Sequence, residues 1–101
     1  MEMFYKKNLQ KAFAYFKQAT FYNNIYAMYQ YGLMIYKKNE EFGKKFIKKS
    51  ADFGKTKSMF LYGKILLNES NYVINKNEAA KYFKMAADDG NYASMYYYGK
   101  L

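Results

Sequence analysis

The sequence predicts an all-α fold of about six helices, arranged as antiparallel pairs that stack in one direction. Three observations predict it. The 101 residues contain no proline, while 51% are hydrophobic and 23% aromatic, a composition that favours continuous helices or strands around a rich core. The dipeptide Tyr-Gly recurs at Tyr31-Gly32, Tyr62-Gly63 and Tyr98-Gly99, with 31 and 36 residues between successive glycines. Aligned on those glycines, AFAYFKQATFYNNIYAMYQYG, KKFIKKSADFGKTKSMFLYG and AKYFKMAADDGNYASMYYYG agree in residue type column by column, the signature of one supersecondary unit repeated.

Each unit reads as a helix, a sharp stop and a second helix. Asn8, Asn39 and Asn75 each lie 24 residues before their Tyr-Gly glycine, and asparagine accepts hydrogen bonds from the free amides of a helix start. They mark the first helix of each unit, with Asn77 an alternative cap in the last. The stop falls in the column of Asn23, Gly54 and Gly90, residue types that tolerate the positive φ found just past a last helical turn. The predicted helices lie near 9–21, 24–36, 40–53, 56–68, 77–89 and 92–101, grouped in units of about 8–38, 39–75 and 76–101.

The buried faces follow from spacing. In the third unit Ala79, Phe83 and Ala86 stand at i, i+4 and i+7, widened by Ala80, Tyr82 and Ala87. The column of Phe16, Ile47 and Phe83 is bulky throughout, and that of Ala27, Ser58 and Ser94 is small. On the second helices Met28, Tyr31, Gly32 and Ile35 form one stripe, and Met59, Tyr62, Gly63 and Leu66 repeat it. A glycine inside a helix costs about 1 kcal/mol against alanine. Its return at 32, 63 and 99 therefore points to close approach by a neighbouring helix.

The patterns EAAKYFKMAADDGN and AMYQYG resemble the Sel-1-like repeat, a relative of the tetratricopeptide repeat, over about residues 8 to 101. The resemblance implies helix pairs stacked into a right-handed α-solenoid. It also implies a concave groove lined by the Tyr-Gly helices, and the scaffold and adaptor roles in which the family is found. The second unit, through YGKILLNESNYVINKNEAAKYF, keeps a long loop after its Tyr-Gly helix, although Asn71 and its neighbours lack the glycines common there; the first unit is shorter and needs a tighter turn. The pattern stops in mid-unit at Leu101, as expected of a piece of a longer array. Aromatic surface from Tyr96, Tyr97 and Tyr98 would then suit contact with further repeats, or self-association through the last helix.

Composition excludes most chemistry. With no Cys and no His there is no disulfide, thiolate nucleophile, imidazole base or zinc site of the common kinds. The nearest approach to a catalytic pair, Asp88-Asp89, sits at a helix end with no companion acid or base and reads as solvated turn. No enzyme, cofactor or metal is expected. The start MEMFYKKNLQ lacks the apolar stretch of a signal peptide, and no run reaches the roughly 18 apolar residues of a membrane span, so the chain is expected to work inside the cell without a transmembrane segment.

The net charge is +9, and all 17 basic residues are lysine. Nucleic acid is not the expected partner, because arginine is the side chain suited to bidentate reading of phosphate and guanine. Along the second helices a line beside the core stripe offers partner contacts: Tyr26, Tyr29, Leu33 and Tyr36, then Lys57, Phe60 and Lys64, then Tyr96 and Lys100. Aromatic anchors beside lysines suit an acidic, partly apolar protein or peptide, although the same residues could equally serve packing between units. Residues 37–64 hold nine lysines against Glu40, Glu41 and Asp52, densest at Lys44, Lys45, Lys48 and Lys49. That segment supplies the alternative reading, an electrostatic binder of nucleic acid or anionic membrane. Against it, Glu40 with Lys44, Glu41 with Lys45 and Lys48 with Asp52 are spaced to pair on a solvated helix face.

Overall fold

Asparagines and glycines punctuate a chain that is otherwise helical almost throughout. The computed structural model describes the backbone of residues 2–22, 24–69 and 72–101, and the side chains of 10–22, 24–69 and 75–101. It contains six helices, with no strand among the described residues: α1 (Glu2–Thr20), α2 (Ile25–Tyr36), α3 (Glu40–Asp52), α4 (Thr56–Leu67), α5 (Tyr72–Asp88) and α6 (Tyr92–Lys100). The principal contacts join consecutive helices, and the molecule measures 44 × 27 × 25 Å.

The stops fall where the glycines do. Gly54 and Gly90 have φ of 104° and 92°, a region that only residues without a Cβ enter cheaply. Behind them one hydrogen bond recurs: the amides of Asn24, Lys55 and Asn91 donate to the carbonyls of Ala19, Ser50 and Ala86 at 3.3, 3.2 and 3.0 Å, closing the last turn of the preceding helix. Asn23, expected to make the first stop, lies outside the described residues.

The starts correct the sequence reading in two places. Asn39 caps α3, its side chain accepting from the amide of Phe42 at 3.1 Å. Asn8 is no cap, since α1 runs through it from Glu2; EMFYKKN holds neither glycine nor proline to delay the helix. Asn75 and Asn77 are likewise inside α5, and the Asn75 side-chain amide instead donates to Glu69 at 3.2 Å. The long loop expected after α4 is correspondingly shorter, and Asn71 lies outside the described residues. Among the described residues, the remaining side-chain caps sit on the second helices, where Asn24 accepts from Ala27 at 2.9 Å and Asn91 from Ser94 at 2.8 Å. Lys55, in the same column, makes no such bond.

The core follows the predicted columns. Met28, Tyr31, Met59, Tyr62 and Leu66 are buried on the second helices, and Ile47, Tyr82, Phe83, Ala79 and Ala86 on the first helices that meet them. A Cβ at Gly32 would stand 2.9 Å from Ile47 Cγ1, and one at Gly63 2.8 Å from Phe83 Cζ. The glycine column is therefore a seat for the bulky column of the next unit. Beside each seat an aromatic pair meets edge to face: Tyr31 with Phe46 at 4.9 Å and 77°, Tyr62 with Tyr82 at 4.8 Å and 80°. Gly43 makes the first of these joints tighter still, because a Cβ there would lie 2.5 Å from the Tyr36 backbone. Gly99 departs from the expected close approach, having nothing within 4 Å.

Within units, small side chains let the two helices touch. Ser50 on α3 donates across the first joint to the carbonyl of Ile25 on α2 at 3.1 Å, which leaves Ser58 on α4 to donate to Ser50 inside the unit at 2.7 Å. In the third unit the same columns hold Ala86 and Ser94. Ser94 is thus buried with its hydroxyl unpaired, because the residue opposite has no oxygen.

Two outcomes are expected in thermal unfolding followed by circular dichroism. Gly63→Leu and Gly43→Ala should each cost about 1–3 kcal/mol or more by overpacking, whereas Gly99→Ala should cost nothing and gain up to about 1 kcal/mol of helix propensity; equal effects at 63 and 99 would remove the seat as the reason for these glycines. Ser94→Ala should be neutral or stabilising by up to about 1–3 kcal/mol, since it deletes a buried hydroxyl that has no partner, and a clear loss of stability would contradict the orphaned geometry.

Candidate functional site

The line of candidate contacts on the second helices is built around one column, Tyr29, Phe60 and Tyr96, which follows the column of Met28, Met59 and Met95 by one residue. One step along a helix turns about 100°, so these rings leave the core stripe sideways. Each carries a lysine ammonium over its face: Lys55 lies 5.2 Å from the Tyr29 ring centroid, Lys64 5.5 Å from Phe60 and Lys100 5.1 Å from Tyr96. In α4 and α6 the lysine comes from the next turn of the same helix. In α2 that position is Leu33, half-buried, and Lys55 reaches over from the turn between α3 and α4 instead. Lys55 also lies 4.2 Å from the ring of Tyr26, which is 71% exposed. Cation–aromatic pairs of this kind contribute about 0.5–1 kcal/mol at exposed sites.

The members of the line are not equally open. Tyr26 and Tyr96 are the exposed aromatics, the latter at 63%, with Lys57 and Lys100 beside them. Phe60 is half-buried against Phe83 at 5.9 Å and Tyr97 at 5.6 Å, so in the middle unit the ring serves packing. Tyr36 also packs against the core. Its phenol is raised from the ordinary value by burial and by the nearby carboxylates of Glu40, Glu69 and Glu41, against which Lys44 acts. It borders a cavity of about 230 Å³ lined by Glu40, Glu41, Lys44, Ile65, Asn68 and Glu69. A second cavity, of about 280 Å³, lies under Tyr26 and Lys55 with Ile25, Gly54, Thr56 and Lys57.

The lysine patch is partly neutralised. Lys44 pairs with Glu69 across the gap between α3 and the loop after α4, while Lys48 pairs with Asp52 at 3.0 Å as spacing predicts. The expected pairs Glu40 with Lys44 and Glu41 with Lys45 do not form. Lys44 is drawn to Glu69 because that site is less solvated, where an ion pair is screened less. Lys45 and Lys49 are exposed. Asp88 and Asp89 separate into different roles, Asp88 pairing with Lys84 at 3.2 Å and Asp89 accepting from the Thr56 hydroxyl at 3.2 Å.

Sequence reading missed a polar contact at the second joint. Tyr82 donates to Asp52 at 2.7 Å. Burial acts to raise the Asp52 carboxyl, but the hydrogen bonds from Tyr82 and Lys48 and the charges of Lys48 and Lys81 outweigh it and hold the group below the usual range. Tyr82 is raised in turn, by burial first and then by that bond. Tyr62 is pushed up to about 12, chiefly by burial, with Glu78, Glu69 and Asp52 adding to the shift. Only the shared column of Asp52 and Asp88, four residues after Lys48 and Lys84, hinted at ordered carboxylates here.

Comparison with protein-family models, with curated proteins and with solved structures returns no match for this chain. No helix of the described residues is long and apolar enough to cross a membrane.

The tyrosine shifts set an alkaline limit on the fold. An unfolded tyrosine ionises near pH 10 and folded Tyr62 near 12, so the stability held by its neutral form is complete below about pH 10 and is lost as pH rises toward 12. Tyr62→Phe should flatten the fall in melting temperature over that window relative to the parent chain, and parallel curves would place the alkaline loss elsewhere.

Proposed function

We propose that the chain is a non-enzymatic interaction scaffold of the Sel-1-like kind, a right-handed α-solenoid whose second helices line a groove for an acidic, partly apolar peptide or helix. The carrying observation is the repeated cation–aromatic column, Tyr29, Phe60 and Tyr96 under Lys55, Lys64 and Lys100. Three units that differ at most surface positions keep an apolar ring beside a positive charge at this one. Such a row offers an aromatic anchor and a counter-charge together, which is the chemistry a carboxylate beside an apolar side chain requires. The order of the helices, each packed on the next, supports the repeat reading on which the groove rests. The alternative lysine patch is weakened by the pairing of Lys44 and Lys48.

A displayed library of amphipathic peptides, selected on the folded chain at low and high salt, tests the reading. Peptides carrying acidic residues next to aromatic or aliphatic ones should be enriched and should survive high salt. Tyr26→Ala with Tyr96→Ala should then weaken the best of them about tenfold or more, the loss of one to two anchors. Binding that ignores the tyrosines, and falls by about one log unit per log unit of salt for each phosphate neutralised, would transfer the function to the lysines.

A further inference from the structure

The joint between units is made twice inside the molecule, and its two halves are also displayed separately. In α2–α3 and α4–α5 a buried methionine, a buried tyrosine and a helical glycine on the second helix receive an aromatic and a bulky residue from the first helix of the next unit. In α6 the same three columns hold Met95, Tyr98 and Gly99. Met95 is 43% and Tyr98 41% exposed, and the glycine seat is open. In α1 the columns that fill such a seat hold Tyr15, which is 67% exposed, and Phe16, flanked by Ala12 and Ala19, all half-buried.

We propose that α6 of one copy takes α1 of a second copy, head to tail, as a third instance of the joint. Phe16 of one copy fills the seat at Gly99 of the other, as Ile47 fills Gly32 and Phe83 fills Gly63. Tyr15 meets Tyr98 edge to face, as Phe46 meets Tyr31 and Tyr82 meets Tyr62. The occupant follows from complementarity of residue type in register: bulky against glycine and aromatic against aromatic, four columns of one repeat with the internal joints as template. Two copies joined in this way leave one α6 and one α1 exposed, so the contact is heterologous and does not close on itself. It goes beyond the groove reading, since it uses the methionine and glycine columns rather than the Tyr29 column.

Charge gives the association a distinctive salt dependence. Each copy carries a net charge of +9, and Lys11 and Lys17 on α1 would approach Lys100 on α6. Two positive bodies joined by an apolar seam repel at low salt and are relieved as the screening length shrinks from about 30 Å at 0.01 M to about 8 Å at 0.15 M.

Sedimentation equilibrium of the 101-residue chain, from about 10 μM to about 1 mM as suits a contact at the small end of interface sizes, tests the proposal. The average mass should rise above 12.1 kDa with concentration, without a plateau at the dimer, and rise further with salt. Gly99→Leu fills the seat and Tyr15→Glu puts a charge into the seam; both positions are open in the single chain, so unchanged circular-dichroism melting is the control for folding. Each variant alone should stay at the mass of one chain. Mixed, they should form a 1:1 pair and stop there, because the intact α1 of Gly99→Leu meets the intact α6 of Tyr15→Glu. A parent chain that stays monomeric at every concentration and salt overturns the proposal, and so does association that neither variant affects. Association abolished by Gly99→Leu but untouched by Tyr15→Glu would also overturn it, since α6 would then be meeting something other than α1.

Discussion

Everything in this fold depends on how close the second helix of one unit can come to the first helix of the next. Gly32 and Gly63 remove the side chain that would hold the helices apart, and Ile47 and Phe83 occupy the space so made. The exchange is favourable by magnitude: a helical glycine costs about 1 kcal/mol, whereas burying one large apolar side chain stabilises by about 1.5–3 kcal/mol. The adjoining edge-to-face pair adds about 0.5–1.5 kcal/mol. The principal contacts join consecutive helices, so each joint carries most of the packing between its two units.

The joints are copies in their apolar parts and individuals in their polar ones. Tyr82 reaches Asp52 across the second joint, while the first carries Phe46 and Phe21 in those columns and adds Gly43 against the Tyr36 backbone. Inside units the small columns read alanine with alanine, serine with serine, and alanine with serine; the mixed pair is the one that leaves Ser94 without a partner. A polar solution at a joint thus needs both columns to change together, and an apolar one does not. That difference explains why residue size is kept along the columns more strictly than residue chemistry.

What could be read from the sequence was what repeats. The six helices, the stops at Gly54 and Gly90, the cap at Asn39 and the buried stripes through Met28, Met59 and Phe83 came from columns that three units share. The errors came where a single residue was weighed against a local rule. Asn8 and Asn75 are helix-capping types placed in stretches with nothing to prevent an earlier start, so the helix runs past them. The pairing of Lys44 could not be foreseen, because spacing along α3 offers it Glu40, whereas only the fold brings Glu69 within reach. Gly43 was invisible as a contact for the same reason, its column being merely small until α2 is laid across it.

The two surfaces proposed for binding sit one residue apart on the same helices. The methionine and glycine columns look along the direction in which units follow one another, and the Tyr29, Phe60 and Tyr96 column looks sideways. Such neighbours on a helix can change independently as long as no side chain belongs to both. Phe60 is the exception: its ring takes Lys64 on one face yet packs against Phe83 and Tyr97, the same Phe83 that fills the Gly63 seat. A ligand pressing on Phe60 would therefore press on the second joint, and one on Tyr96 would reach it through Tyr97, which meets Tyr96 at 5.7 Å and stacks on Phe83 at 5.2 Å. Under the proposed groove reading, a partner held at Phe60 or Tyr96 is coupled to the second joint through Phe83 and Tyr97, and one held at Tyr26 is not.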